Sequence, residues 1–146
     1  FAKSMFMTLA VVSGVVAQFP VASLADHRDR RLVLAAMAGA AALAAMVGLA
    51  DGGLALMVFA AAFGAATFPL YAVGVARVSE RLEQSERTAA SASMIVFFLL
   101  GAIVAPPLLS YAIALYGPAG YFVVLALPHA GFAIMALAMT RTPQSS

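Results

Sequence analysis

The segment Ala22-Ser23-Leu24-Ala25-Asp26-His27-Arg28-Asp29-Arg30-Arg31-Leu32-Val33 carries six consecutive ionisable side chains. It joins two apolar runs, residues 5–25 and 30–50, each of about 20 residues, which is the length that crosses a bilayer as a helix. A short charged connector between two such runs is typical of a loop at a membrane surface. The rest of the chain repeats this alternation of long apolar runs and short breaks.

The composition supports the same interpretation. The chain has 146 residues, of which 64% are hydrophobic and 10% charged, and its mean hydropathy is +1.03. Soluble domains are about half apolar and about a quarter charged, and a soluble fold of this size could not bury the excess. In lipid only helices or closed barrels can span, and barrel strands alternate over about 10 residues, whereas these runs are continuous and longer. We therefore predict an all-α integral membrane protein.

Five transmembrane helices are predicted within a single membrane domain. Their expected ranges are 5–25, 30–50, 54–82, 88–115 and 119–140. The breaks contain turn residues, Asp51-Gly52-Gly53 after the second run and Tyr116-Gly117-Pro118 after the fourth. Asp29 and Ser85 are the expected N-caps of the second and fourth helices.

The basic residues predict the orientation. If the helices alternate in direction, seven arginines fall on one side of the membrane and Lys3 alone falls on the other. Lysine and arginine are enriched in cytoplasmic loops. We therefore expect the charged loops and the C-terminus to be cytoplasmic, in a bacterial-type inner membrane. The seven arginines are Arg28, Arg30, Arg31, Arg77, Arg81, Arg87 and Arg141.

Several function classes are not supported. The chain has no cysteine, so disulfides and thiolate metal sites are excluded. Its net charge of +2 is too small for a nucleic-acid surface. No catalytic set and no metal-ligand spacing is visible, so we expect no enzyme activity, no cofactor and no metal.

The charged segment also carries a family resemblance. Its pattern, Ala22-x-Leu24-Ala25-Asp26-x-x-Asp29-Arg30-Arg31-x-x-Leu34, resembles the G-x-L-a-D-r-x-G-R-[RK]-x-x-L loop of the major facilitator superfamily (MFS). That loop follows the second helix of each six-helix half. This chain departs from it at Ala22 and Asp29, where glycine is usual, and at His27, where arginine is usual. The resemblance implies that the five spans are helices eight to twelve, a partial C-terminal six-helix bundle.

Two weaker similarities lie elsewhere. Gly101-x-x-x-Ala105-Pro106 resembles the G-x-x-x-G-P packing and kink motif of the family, here in the helix before the last. Thr67-Phe68-Pro69-Leu70-Tyr71 and Arg81-Leu82 resemble a YcaD-like branch.

The resemblance implies a secondary active transporter that moves a small solute by alternating access. Asp26 would then be the acceptor of a conformational latch, with Arg30 as its organising cation and Arg31 in the same loop motif. The partner helix of Asp26 would belong to an N-terminal half that this sequence lacks, and we expect the fragment to be unstable alone. The alternative is a five-span membrane scaffold or assembly subunit without transport activity.

Three polar residues within the runs have two interpretations each. Gln18 and Tyr71 either line a polar cavity or make helix–helix hydrogen bonds; Gln18 is predicted to point into the bundle. His129 is either a proton-coupling group or a neutral imidazole bonded to a carbonyl, such as that of Val124, which Pro128 leaves free.

Overall fold

Five α-helices form the protein in the computed structural model, which describes residues 2–50, 52–80 and 82–138. They are α1 (Ala2–His27), α2 (Arg30–Val47), α3 (Gly53–Ser79), α4 (Gln84–Tyr116) and α5 (Pro118–Ala138). Each of the five is long and apolar enough to cross a membrane. The predicted all-helical membrane fold is confirmed, although individual helix ends differ from their predicted positions by a few residues.

The N-cap prediction is right for α2 and wrong for α4. The Asp29 side chain accepts a hydrogen bond from the backbone N–H of Arg31 at 2.9 Å, as an N-cap should. Helix α4 begins at Gln84 with Glu83 as its N-cap, so Ser85 lies inside the helix. The Glu86 carboxylate accepts from the backbone N–H of Glu83 at 3.3 Å, which stabilises the earlier start.

Glycine forms the turns at the two predicted breaks. Gly52 has φ of 117° and precedes α3, and Gly117 has φ of 65° and separates α4 from α5. Residues with a side chain rarely adopt a positive φ, so glycine suits both positions. Pro118 then opens α5, where its missing N–H costs no helical hydrogen bond.

The helices alternate in direction, so all of them end or begin at one of two sides. At the charged end, α1 and α3 finish and α2 and α4 begin. At the opposite end, called the aromatic end below, α2 finishes and α3 and α5 begin. The most extensive packing joins α1 to the parallel α3, followed by α2 against α5 and α3. Helix α4 packs mainly on α5 and only slightly on α3.

Small residues fill the interior and large ones face outward. Of the eighteen buried apolar residues in the described part of the chain, twelve are alanine. A Cβ on Gly64 would overlap the backbone carbonyl of Ala10, and a Cβ on Gly14 would meet the Phe68 ring at 2.5 Å. Lipid supplies no hydrophobic force between helices, so close backbone approach through small residues holds them together. The packing of α1 against α3 through Ala10, Gly14 and Gly64 follows this rule.

Aromatic rings pack at the end opposite the charges. Phe59 of α3 is 2% exposed and is surrounded by Phe6, Phe63, Tyr121 and Phe122, with ring centroids 5.1 to 6.4 Å away. The group joins α1, α3 and α5, and Ala45 of α2 completes it. A Cβ on the nearby Gly48 would overlap the Phe122 ring, so glycine leaves room for it.

Helix α4 is the least covered element. No residue is buried in the most apolar 18-residue stretch of α4, and Ala112 is its one buried residue among those described. At that point Gly120 of α5 lies directly against the Ala112 carbonyl. Gly101, Ala105 and Pro106 are exposed, and a Cβ on Gly101 would meet nothing within 4 Å. Their predicted packing role has no partner among the described helices and stays a prediction.

Candidate functional site

The charged end brings together the side chains that carry the loop motif. Helix α1 ends at His27 and α2 begins at Arg30, so only Arg28 and Asp29 connect them. This tight connection holds the last turn of α1 and the first turn of α2 side by side. The end of α3 lies next to both, because α2 and α3 are neighbours that run in opposite directions.

Arg30 is the central cation of this end. Its Nη2 lies 3.0 Å from Oδ1 of Asp26, one turn earlier on α1, and its Nη1 lies 2.9 Å from Oε1 of Glu80 at the end of α3. Its Nε also donates to the Ala25 carbonyl at 3.4 Å. One guanidinium therefore links three helix ends, and its side chain is only 20% exposed.

Asp29 is the centre of a second ion pair group. Besides capping α2, its Oδ1 lies 3.6 Å from Nη1 of Arg77 on α3. Its Oδ2 lies 3.8 Å from Nε of Arg31. Asp29, Arg31 and Arg77 are all less than a third exposed, so this group is more sheltered than the carboxylates that Arg30 contacts.

Asp26 is placed to accept a further contact. Its side chain is 64% exposed, and Arg30 engages only its Oδ1. A carboxylate in the last turn of α1 is unfavourable beside the negative end of the helix dipole, and the charge of Arg30 offsets this. With this exposure, a further N–H donor can reach the carboxylate.

Sequence reasoning missed the partners on α3. Glu80 pairs with Arg30 and Arg77 pairs with Asp29, and neither pair was predicted. A signal was present, since Arg77 and Glu80 are three residues apart and therefore share a face of the helix end. What the sequence lacked was the adjacency of the end of α3 to the start of α2.

Gln18 does not point into the described bundle, so that prediction is wrong. It is exposed, as is Ala22, whereas Gly14, Val21 and Ala25 are buried. Steps of four residues turn by about 40° beyond a full circle each time, because a residue advances about 100°. The face that is buried at Gly14 has therefore rotated outward at Gln18. Its role as a cavity-lining residue stays a prediction.

Tyr71 lies on the open side of α3, between it and α4. Its side chain is 42% exposed, and its ring centroid lies 5.9 Å from that of Phe98 on α4. Nearby, the Thr67 hydroxyl donates to the Phe63 carbonyl at 2.8 Å, so it is satisfied within its own helix. Tyr71 therefore places a polar residue on the exposed surface of the bundle. The Thr67 hydroxyl already has its hydrogen-bond partner and does not need one from another helix.

His129 has the local bonding of a structural imidazole. Its Nδ1 lies 2.7 Å from the Leu125 carbonyl, which can only accept, so Nδ1 carries the proton. The sequence suggested the Val124 carbonyl as the acceptor, and the structure has the carbonyl of the next residue, Leu125. The ring also lies edge-on to Phe63 of α3, with centroids 5.2 Å apart.

The interior of the described bundle is apolar. No charged or polar side chain is fully buried within the part of the chain that the structure describes. No group of three or more histidine, aspartate or glutamate residues that could hold a metal ion occurs among the described residues. The ion pairs described above all lie at the charged end.

Comparison with protein families identifies the chain. The family model of the Major Facilitator Superfamily matches residues 2–146. The chain belongs to the major facilitator superfamily. Members of this family are transporters, and the five spanning helices make this MFS chain an integral membrane protein in contact with lipid. Searches of curated proteins and of solved structures gave no match.

The family assignment confirms the general resemblance that the charged segment carries. It reaches beyond that segment to nearly the whole chain, including the exposed helix α4. The YcaD-like branch stays a prediction.

Proposed function

We propose that this MFS chain is part of a secondary transporter that moves a small solute across the cytoplasmic membrane by alternating access. The family match and the five spanning helices support this proposal. In such transporters the two halves rock around a site near the middle of the bilayer. We infer that a further helix and a second half outside this sequence cover α1 and α4, which are the least buried of the described helices.

The observation that carries the proposal is the state of Asp26. It is an exposed carboxylate at the end of a spanning helix, held on one oxygen by a cation that itself bridges to α3. Anions bind favourably at the N-termini of helices, where backbone N–H groups are unpaired. We infer that Asp26 accepts such a contact from a helix of the other half when the charged end is closed, and that Arg30 sets its position.

The direction of the chain in the membrane follows from its cations. Five of the seven arginines, Arg28, Arg30, Arg31, Arg77 and Arg87, lie at the charged end among the described residues. Arg81 and Arg141 lie outside the described residues. The positive-inside rule therefore supports a cytoplasmic charged end.

The described half offers few groups for ion coupling. Every aspartate and glutamate that the structure describes lies at the charged end, so none of them is placed to carry a proton through the membrane interior. Proton coupling would need His129 or a group elsewhere in the transporter. The local bonding of His129 to Leu125 supports a structural role, so we place any coupling residue in the other half.

Substrate identification and the latch can be tested together on the intact protein. A library of small solutes is screened for those that raise the melting temperature of the purified protein, since a ligand of the folded state stabilises it. Uptake of a positive solute into proteoliposomes is then compared for Asp26→Asn and Arg28→Gln. We expect slower uptake for Asp26→Asn at equal amounts of folded protein, and normal uptake for the exposed neighbour. Equal uptake by all three proteins would remove Asp26 from the mechanism.

A further inference from the structure

The start of α2 and the end of α3 are joined by two ion pairs of opposite polarity. Helix α2 supplies the cation Arg30 to Glu80, and its N-cap Asp29 supplies an anion to Arg77. Because each helix end contributes one charge of each sign, the two pairs specify a single relative position of the helix ends. A shift of α3 along α2 would bring like charges closer.

The two pairs differ in how freely they can exchange. Arg30 contacts two carboxylates, Asp26 and Glu80, which are 64% and 52% exposed. It can leave one of them and stay paired with the other, and the carboxylate that it leaves is more than half exposed to water. Asp29 is 29% exposed and is also fixed by the hydrogen bond from the Arg31 backbone, and Arg77 is 19% exposed. Asp29 has Arg31 as a second cation at 3.8 Å, but Arg77 has no second carboxylate among its described contacts, so Arg77 cannot leave Asp29 without losing its ion pair.

Asp29 also distinguishes this chain from the loop pattern that it resembles. The pattern has glycine at that position, and glycine has no side chain with which to cap α2 or to bind a cation. The contact with Arg77 therefore depends on a residue particular to this sequence.

We propose that the Asp29–Arg77 pair is a fixed brace that keeps the charged ends of α2 and α3 together when Arg30 leaves Glu80. Arg30 is then the mobile cation of this end, and Asp29 is a positioning residue that preserves the geometry around it. Only the motion of Arg30 rests on the latch proposed above; the brace itself is a property of the α2–α3 contact.

The test measures the separation of the two helix ends in the intact protein in lipid. The chain has no cysteine, so spin labels can be attached at Leu32→Cys on α2 and Val78→Cys on α3, both of which are exposed. In this background, Asp26→Asn with Glu80→Gln releases Arg30 from both carboxylates. We expect the distance distribution between the labels to stay as it was.

Addition of Asp29→Asn should then shift the distribution to longer distances and broaden it. Asparagine caps helices as well as aspartate does, so this change removes the charge and keeps the cap. Arg77→Gln should give the same shift, and the two changes together should give no further shift, because each removes the same pair. Arg28→Gln, an exposed neighbour, is the matched control and should have no effect.

Two results would overturn the brace. One is a distribution that already lengthens when only Asp26 and Glu80 are neutralised, which would assign the contact to Arg30. The other is an unchanged distribution with both Asp29→Asn and Arg77→Gln. The readout does not depend on transport, so normal uptake by Asp26→Asn would reject the latch while leaving the distance result to decide the brace.

Discussion

The charged end and the aromatic end of this bundle both join α1, α2 and α3, but through different kinds of side chain. At the aromatic end, Phe59 is almost fully buried and touches four other rings from three helices. At the charged end, Arg30 reaches two carboxylates that are each more than half exposed. Packed rings lose many contacts at once when they separate, whereas exposed ion pairs can exchange partners for water. The difference teaches that the aromatic end is suited to hold the fold, whereas Arg30 at the charged end is suited to change partners.

The largest effect is expected from Phe59→Ala. Truncation of a buried phenylalanine typically costs about 3–5 kcal/mol, and here it would remove the centre of the aromatic group. Thermal unfolding of the intact protein in detergent checks this. Phe97→Ala on α4, whose side chain is 73% exposed, is the matched control and should change the melting temperature little. Similar melting of the two variants would break the comparison between the ends.

A smaller loss of stability is expected from Gly64→Ala. The new Cβ would overlap the backbone carbonyl of Ala10, so α1 and α3 would have to move apart. Overpacking of this kind costs about 1–3 kcal/mol. Gly39→Ala, where a Cβ meets nothing within 4 Å, should be neutral or slightly stabilising. The free energies of unfolding of both variants, from denaturant titration, decide the point; equal values would mean that α1 and α3 are not held by close backbone approach.

Arg30→Gln should affect stability less than either change and transport more. Its carboxylate partners are exposed, and pairs of that kind contribute about 0–1 kcal/mol. The melting temperature of this variant should therefore stay near that of the parent while uptake falls. Raised salt should reduce the small difference further, since the Debye length is about 8 Å at physiological ionic strength. A drop in melting comparable with that of Phe59→Ala would show that the charged end also holds the fold.

The smallest effect is expected from His129→Leu. The bond of His129 to Leu125 lies within one helix, and polar contacts in membranes average about 0.6 kcal/mol. Uptake measured across a pH series should keep the shape that the parent shows. A pH profile that flattens in this variant would instead identify His129 as the coupling residue.

The sequence predicted features that depend on neighbours along the chain. The five spans, the cap at Asp29 and the glycine turn at Gly117 follow from run length and local chemistry, and the structure contains all three. It did not predict that Glu80 and Arg77 would pair with Arg30 and Asp29. Those contacts join residues about fifty positions apart, and nothing in local pattern sets which helix ends meet.

The errors have local causes as well. Gln18 was predicted to point into the bundle, but it lies four residues after the buried Gly14, and a step of four residues rotates the side chain by about 40° around the helix. Ser85 was predicted as the N-cap because serine is common there. The Glu86 carboxylate instead accepts from the Glu83 backbone N–H, and the N-cap is Glu83, two residues earlier. In both cases the position of a residue within one helical turn decided the outcome, and a general rule about residue types or spacing did not.

The division of labour between the two ends is tested most directly by measuring uptake and melting temperature on the same preparations of Asp26→Asn and Phe59→Leu. The account predicts that Asp26→Asn loses uptake and keeps the melting temperature of the parent. It predicts that Phe59→Leu melts at a lower temperature and keeps its uptake well below that temperature. Normal uptake by Asp26→Asn, or a fall in its melting temperature as large as that of Phe59→Leu, would contradict it.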